Sequence, residues 1–311
     1  MAKIKKYLSL IVSIVVIAVI VLNFDKITTR LQDYLYTLKN DRNIIIQPDN
    51  EYKRNFKYKY IQNNEDFIPH SYNDLVNIVY SVLNNGWTEF TFYCPTDYED
   101  CLTDIKKLSN DNEQLSTINN FVNPYNSYST IKTIYDDTGV ITFEVNHLYN
   151  QEEIKKTNNT IDEILEMNIN DNMTDKQKIK AIHDYIIDNT IYDVVRAEKK
   201  ESQYDSARIT GVLYEHYGTC SGYSDLMAII LDKLNIPNYK ITTDNHVWNA
   251  VYVDGTWKHL DVTWDDPVLT SGKQTLEYNF FLVNTKTLLE KDKKDQHKFN
   301  PDIYLEFKKE A

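Results

Sequence analysis

The residue types needed to build a thiol nucleophile occur in the second half of this chain. Cys220 opens a helical pattern in Gly218-Thr219-Cys220-Ser221-Gly222-Tyr223, and His246 and Asp261 follow on segments that read as strands. A thiol attacks as its thiolate, which a neighbouring imidazolium stabilises while a carboxylate fixes the ring tautomer. Thr219 suits an N-cap, which places Cys220 in the first helical turn, where free N–H groups and the positive dipole end favour S⁻. Taken singly, such residues have bland roles as a small hydrophobe, a satisfied core histidine or a solvated charge. The chemistry is in their combination.

The segment between His246 and Trp264 supplies that combination. Asp254-Gly255 lies at its centre, flanked by β-branched and aromatic residues, which predicts a two-residue hairpin turn. With Val253 opposite Thr256, Tyr252 pairs with Trp257, Ala250 with His259, Trp248 with Asp261 and His246 with Thr263. Side chains alternate with period two, so His246 and Asp261 share a face as diagonal neighbours, about 7–8 Å apart at the backbone. Trp248, Trp257 and Trp264 crowd the hairpin and have core packing as their bland role, but Trp248 shares that face and could wall the acyl site.

Four stretches resemble the transglutaminase-like superfamily, papain-like thiol enzymes with chain order Cys, His, Asp. They are KIKAIHDYIIDNTIYD from Lys178, GTCSGYSDLMAIILDKLNIP from Gly218, HVWNAVYVDGTWKHLDVTWDDP from His246 and YNFFLV from Tyr278. The resemblance covers Thr174 to roughly Tyr304. It implies Cys220 as nucleophile, His246 as general base and acid, and Asp261 as the residue orienting His246. It leaves the substrate open, since such domains include protein cross-linkers, proteases, peptide-N-glycanases and inactive relatives. The Cys220 backbone N–H and a second donor, for which Tyr214 and Tyr217 are candidates, would form the oxyanion hole.

The elements around these motifs predict an α+β fold. A papain/transglutaminase-like core, with a central Cys-bearing helix packed on an antiparallel sheet, follows a small α+β domain and an N-terminal transmembrane helix. Thr174-Asp175-Lys176-Gln177 is a capping-box pattern opening a helix whose buried stripe is Ile179, Ile182 and Ile186. His183 and Asp184 on it read as structural. The Cys220 helix is apolar almost all round, hence central, and Pro237 limits its length. Val194 to Ser206, rich in Lys, Glu, Gln and Ser, reads as a mobile loop that could gate the cleft.

Upstream, Leu75, Ile78, Val79 and Val82 form a helical stripe closed by Gly86, and Trp87 to Tyr93 reads as a strand. A helix over Tyr98–Leu108, a hairpin of Thr130–Tyr135 with Val140–Leu148, and a helix over Gln151–Met167 complete this region. The expected organisation is 1–24 anchor, 25–50 stalk or linker, 51–170 accessory α+β domain and 171–311 catalytic domain.

Lys3, Lys5 and Lys6 precede an apolar run from Tyr7 to Phe24, just long enough to span a bilayer. The flanking charge favours a cytoplasmic N-terminus and an extracytoplasmic catalytic region, in a cell membrane with a single pass. No small-x-small cleavage site follows, so an uncleaved anchor is favoured over a cleaved signal and a secreted enzyme. The 311 residues carry a formal net charge of −12, which argues against nucleic acid as a partner. Abundant Tyr, Asn, Ile and Lys suggest an AT-rich, low-GC bacterial source.

Of the three cysteines, Cys94 and Cys101 are expected to be reduced and buried, although a disulfide between them stays open. No zinc-type spacing, phosphate-binding loop or dinucleotide fingerprint is present, and Asp265-Asp266 alone does not resemble a calcium loop. The implied chemistry needs no cofactor and no metal. The expectation is a thiol enzyme that transfers an acyl group or hydrolyses an amide, attacking a glutamine carboxamide or a peptide bond of a protein, or of a cell-wall peptide. The alternative is an inactive transglutaminase-like scaffold of the cell envelope.

Overall fold

The structure, a computed structural model, describes residues 17–24, 26–31, 44–267 and 276–308. Most of the predicted membrane span, up to residue 16, lies outside the described residues. Residues 17–22 and 26–31 are helical. Among the described residues no helix is long and apolar enough to cross a membrane.

The first half builds a small layer. Ser71 caps α1 (Tyr72–Asn84), its hydroxyl accepting from the Asp74 amide, and the predicted stripe is buried. Strands β1 (Glu89–Tyr93), β2 (Tyr128–Tyr135) and β3 (Val140–His147) form an antiparallel sheet in the order β1-β3-β2. Between β1 and β2 lie α2 (Cys101–Asn110) and α3 (Asn112–Asn119). Cys94 and Cys101 form a disulfide, which overturns the expectation of two reduced thiols. The reason is backbone proximity: the turn between the end of β1 and the start of α2 leaves their Cα atoms 5.7 Å apart, within disulfide reach.

α4 (Gln151–Asn168) and α5 (Asp175–Asn189) each begin with a complete capping box, from Asn150 with Glu153 and from Thr174 with Gln177. The expected division between the two regions falls in the loop between these helices. Beyond it come β4 (Ile191–Tyr192), α6 (Val194–Lys199), β5 (Tyr217–Gly218) and α7 (Cys220–Lys233). A second antiparallel sheet follows in the order β6-β7-β8, from Asn238–Thr242, Val247–Val253 and Thr256–Leu260, and α8 (Thr285–Lys291) comes after it.

Strand β7 is buried on both faces, with Tyr252 as its only exposed residue. Alternate residues explain this. Val251 and Val253 join the apolar cluster of α7, whereas Trp248 and Ala250 join a cluster shared with α1, β1 and β3. The upstream region therefore covers the sheet face that α7 does not.

The tie between these layers is polar. The Arg54 guanidinium, essentially buried, donates to Asp232 Oδ2 on α7 at 2.8 Å, to the Phe121 carbonyl at 3.1 Å and to Asn238 Oδ1 at 3.0 Å. Asn123 and Asn238 also donate to Asp232. Removing the cation would leave this carboxylate with two amide donors and without its counter-charge. Arg54→Ala is expected to lower the unfolding free energy by about 3–5 kcal/mol, as for other broken buried ion pairs. Urea unfolding measures it, and a loss below about 1 kcal/mol, the range of an exposed pair, would show the tie to be peripheral.

Candidate active site

The hairpin register is as expected from Val253↔Thr256 through Tyr252↔Trp257 to Ala250↔His259, and one residue further to Asn249↔Leu260. There it stops. The predicted pairings of Trp248 with Asp261 and His246 with Thr263 do not form, because the chain leaves the ladder after Leu260. The segment 280–283 takes over that edge: His259 and Val283 exchange backbone hydrogen bonds, and the Asp261 amide donates to the Phe280 carbonyl. The YNFFLV stretch thus continues the sheet where β8 ends. Asp265 pins the turn from the other side, accepting from the Phe280 amide at 2.8 Å and pairing with His183 Nε2 at 3.2 Å. That contact is the structural role expected of His183.

The turn delivers Asp261 to His246 all the same. His246 Nε2 donates to Asp261 Oδ2 at 2.5 Å, and the Cys220 thiol lies close enough to this imidazole to help hold its proton. The three predicted catalytic side chains therefore meet at one place. Asp261 is 1% exposed and His246 6%, whereas Cys220 is half-buried. Burial alone would push His246 down, but the Asp261 carboxylate outweighs it and raises the imidazole to about 10. Burial pushes Asp261 up, and the two histidines against it, His246 and His297, hold it well below the usual carboxylate range. The geometry fits an imidazolium facing a thiol on one side and a carboxylate on the other.

His297 is the residue that sequence reasoning missed. Its Nε2 donates to the same Asp261 oxygen at 2.8 Å, while Asp261 Oδ1 accepts from the Trp264 amide at 3.1 Å. It lies in an irregular segment after α8, so no periodicity or strand pairing marked it. His246, Asp261 and His297 also present three potential metal-ligand atoms to one another. Their separations of 2.5 and 2.8 Å match shared protons, whereas ligands about 2.0–2.2 Å from a zinc ion would stand roughly 3.3 Å apart.

Trp248 does not wall the acyl site. It is fully buried, stacks on His246 with centroids 5.7 Å apart, and donates from Nε1 to His259 Nδ1 at 3.1 Å. That bond leaves the His259 proton on Nε2, facing Thr285, and burial pushes His259 down to about 3, so it stays neutral. Trp248 is the floor under the His246 imidazole, and Trp264 is the tryptophan that lines the cleft.

Thr219 holds the N-cap position of α7 without capping it. Its hydroxyl and amide both donate to the Ser206 carbonyl. The first-turn amides of α7 have no intrahelical acceptor and remain available to polarise a thiolate or an oxyanion.

Of the two expected second donors, Tyr214 is turned away. Its hydroxyl meets Thr160 on α4 and its ring lies under Lys156. Tyr217 stacks face to face on Tyr204 at 3.7 Å and lines a hollow of about 700 Å³ beside the site. Tyr192 was not anticipated. It lines both that hollow and a cleft of about 600 Å³ containing His246, Trp264 and Asp266. Burial, then the charges of Cys220 and Asp261, raise its hydroxyl to about 12, so it remains a donor at neutral pH.

The expected gate is more ordered than its composition suggested. Residues 194–199 are helical, and buried Asp193 caps them, accepting from the Arg196 amide as well as from the Ser202 and Ser206 hydroxyls. One carboxylate ties both ends of the flap.

The comparisons with known proteins concern part of the chain. Residues 164–262 match the family model described as "Transglutaminase-like superfamily". The match supports a transglutaminase-like domain in that part of the chain. The human protein named kyphoscoliosis peptidase is 26% identical over 147 residues, covering 42% of this chain and 22% of that protein. Its mouse counterpart is 28% identical over 134 residues, covering 37% and 20%. The chain thus spans about a fifth of the length of these curated relatives. A solved structure described as "Crystal structure of a TGase" aligns over 50% of this chain and 48% of its own, with a TM-score of 0.33 and 17% identity.

The ion pair makes a pH prediction. His246 binds its proton more tightly folded than unfolded, so the stability it contributes is complete below the unfolded value of about 6.5 and is lost as pH rises through about 10. Wild-type unfolding free energy should therefore fall over that window, by up to about 1.4 kcal/mol per pH unit from this group. His246→Gln should remove that component, as read by urea unfolding at several pH values. Parallel wild-type and variant curves would show that no such pair exists.

Proposed function

We propose that this chain is a thiol enzyme acting on protein or peptide substrates through Cys220. The thiolate attacks the carbonyl of a carboxamide or peptide bond, and the His246 imidazolium gives its proton to the departing nitrogen as the C–N bond breaks. The resulting thioester passes its acyl group to an amine or to water, which His246 deprotonates, and the thiolate leaves. Asp261 keeps Nε2 protonated and Nδ1 turned to the sulfur. The observation that carries this reading is the buried His246–Asp261 pair, with the Cys220 thiol beside its imidazole.

The name of the human and mouse relatives, peptidase, favours water as the acceptor and a peptide bond as the target. The proposed setting is the outer side of a cell membrane, reached by the apolar run Tyr7–Phe24, with envelope proteins or cell-wall peptides within range. The Cys94–Cys101 disulfide supports it, since such bonds persist in oxidising compartments.

With Cys94 and Cys101 paired, Cys220 is the free cysteine. Iodoacetamide at about pH 5–6 should label it far faster than a free thiol of ordinary pKa near 8.5, and Cys220→Ala should abolish labelling. Labelling no faster than that of glutathione would sink the thiolate reading. Asp261→Asn should keep the fold and lower kcat by about 10²–10⁴ on any substrate identified, as when a triad imidazole loses its orienting carboxylate. Incubation with envelope extract and a labelled primary amine separates the outcomes. Amine incorporation indicates a transferase and new peptide termini a protease.

A further inference from the structure

We propose that His297 is a positioning residue, the second imidazole that holds Asp261 in the orientation His246 requires. The inference rests on the thiol-enzyme reading and extends it beyond the triad. Asp261 Oδ2 receives two Nε2 donors, His246 at 2.5 Å and His297 at 2.8 Å, and Oδ1 receives the Trp264 amide. The carboxylate is therefore fixed at both oxygens and cannot turn away when His246 gives up its proton.

The surroundings of His297 are built for this. Its ring is fully buried, stacked on Phe280 with centroids 5.2 Å apart and edged by Trp248, Trp264 and His246 at about 5 Å. Its delivery is controlled by Asp292, at the end of α8, whose carboxylate accepts from the Lys294 and His297 amides at 3.0 and 2.7 Å and so folds the segment back toward the site. His297 Nδ1 lies 3.4 Å from Asp292 Oδ2 without forming a hydrogen bond. The titratable groups facing the ring are thus Asp261, Asp292 and His246. A purely space-filling residue would not need a donor aimed at the catalytic carboxylate.

Three variants test the role. His297→Gln keeps an N–H at roughly the Nε2 position, whereas His297→Phe and His297→Met fill the space without a donor. For the donor-less variants, Cys220 alkylation at about pH 6 should slow about 10–100-fold, with His297→Gln within roughly threefold of wild type, the usual scale for losing an orienting partner. In a second readout, NMR titration of His246 should shift toward the free-histidine value in the donor-less variants and hold in His297→Gln. Alkylation and titration unchanged in His297→Phe would overturn the proposal, as would His297→Gln behaving like His297→Phe. Should both donor-less variants fail to fold, His297 is a structural residue and the proposal is wrong. A wild-type thiol no more reactive than glutathione, with the His246 titration responding as expected, would remove the enzyme reading and leave the positioning role standing.

Discussion

A carboxylate shielded from water is stable as an anion only where donors replace its hydration, and the site is organised around that demand. Asp261 is 1% exposed and collects donors from three separated parts of the sequence: His246 before β7, the Trp264 amide in the turn after β8, and His297 after α8. The Trp264 amide is local, three residues on as in a helix cap, but the two histidines are 15 and 36 residues from Asp261. The geometry exists only when the sheet, the 280–283 segment and the C-terminal segment have all docked. Stability and chemistry are therefore coupled at one group, because what keeps Asp261 ionised also orients and charges His246.

That coupling explains the weight of structure around a site with few reacting atoms. Trp248 must be immobile for His246 to stack on it, and its indole N–H is held by a histidine kept neutral by burial. The sheet carrying Trp248 has one face against α7 and the other against the cluster that includes α1, β1 and β3. The region upstream of the family match thus forms part of the wall behind the His246 imidazole, and the Arg54–Asp232 tie joins it to the helix that begins at Cys220. Detaching it would expose Tyr239, Ile241 and Trp248, at a cost of roughly 25 cal/mol per Å² of apolar surface uncovered.

What could be read in advance follows from the range of each interaction. The helix starts at Ser71, Asn150 and Thr174, and the hairpin register at Asp254-Gly255, rest on hydrogen bonds within a few residues, where spacing is informative. Cys220, His246 and Asp261 could be brought together because two of them flank that hairpin. Register reasoning failed beyond Leu260, since the partner of Asp261 is Phe280, on a segment with no strand pattern of its own. Trp248 was assigned to the right face, but a face does not say whether a ring meets solvent or is covered from below. His297 had no local signal, and Cys94 with Cys101 turned on a backbone separation that spacing alone does not fix.

The fate of the proposed thioester depends on features outside the triad. The cleft containing His246 and the hollow containing Tyr204 and Tyr217 share Tyr192 and Val194. In the proposed reaction, an acyl donor in one and an acceptor in the other would be separated by these shared residues. Water competes with an amine in proportion to how well the bound acceptor fills its side, so the flap 194–206 bears directly on the choice. Asp193 ties the flap at Arg196, Ser202 and Ser206, and Thr219, next to Cys220, donates to the Ser206 carbonyl. The flap is thereby hydrogen-bonded to the start of α7, where the first-turn amides lie without a side-chain cap.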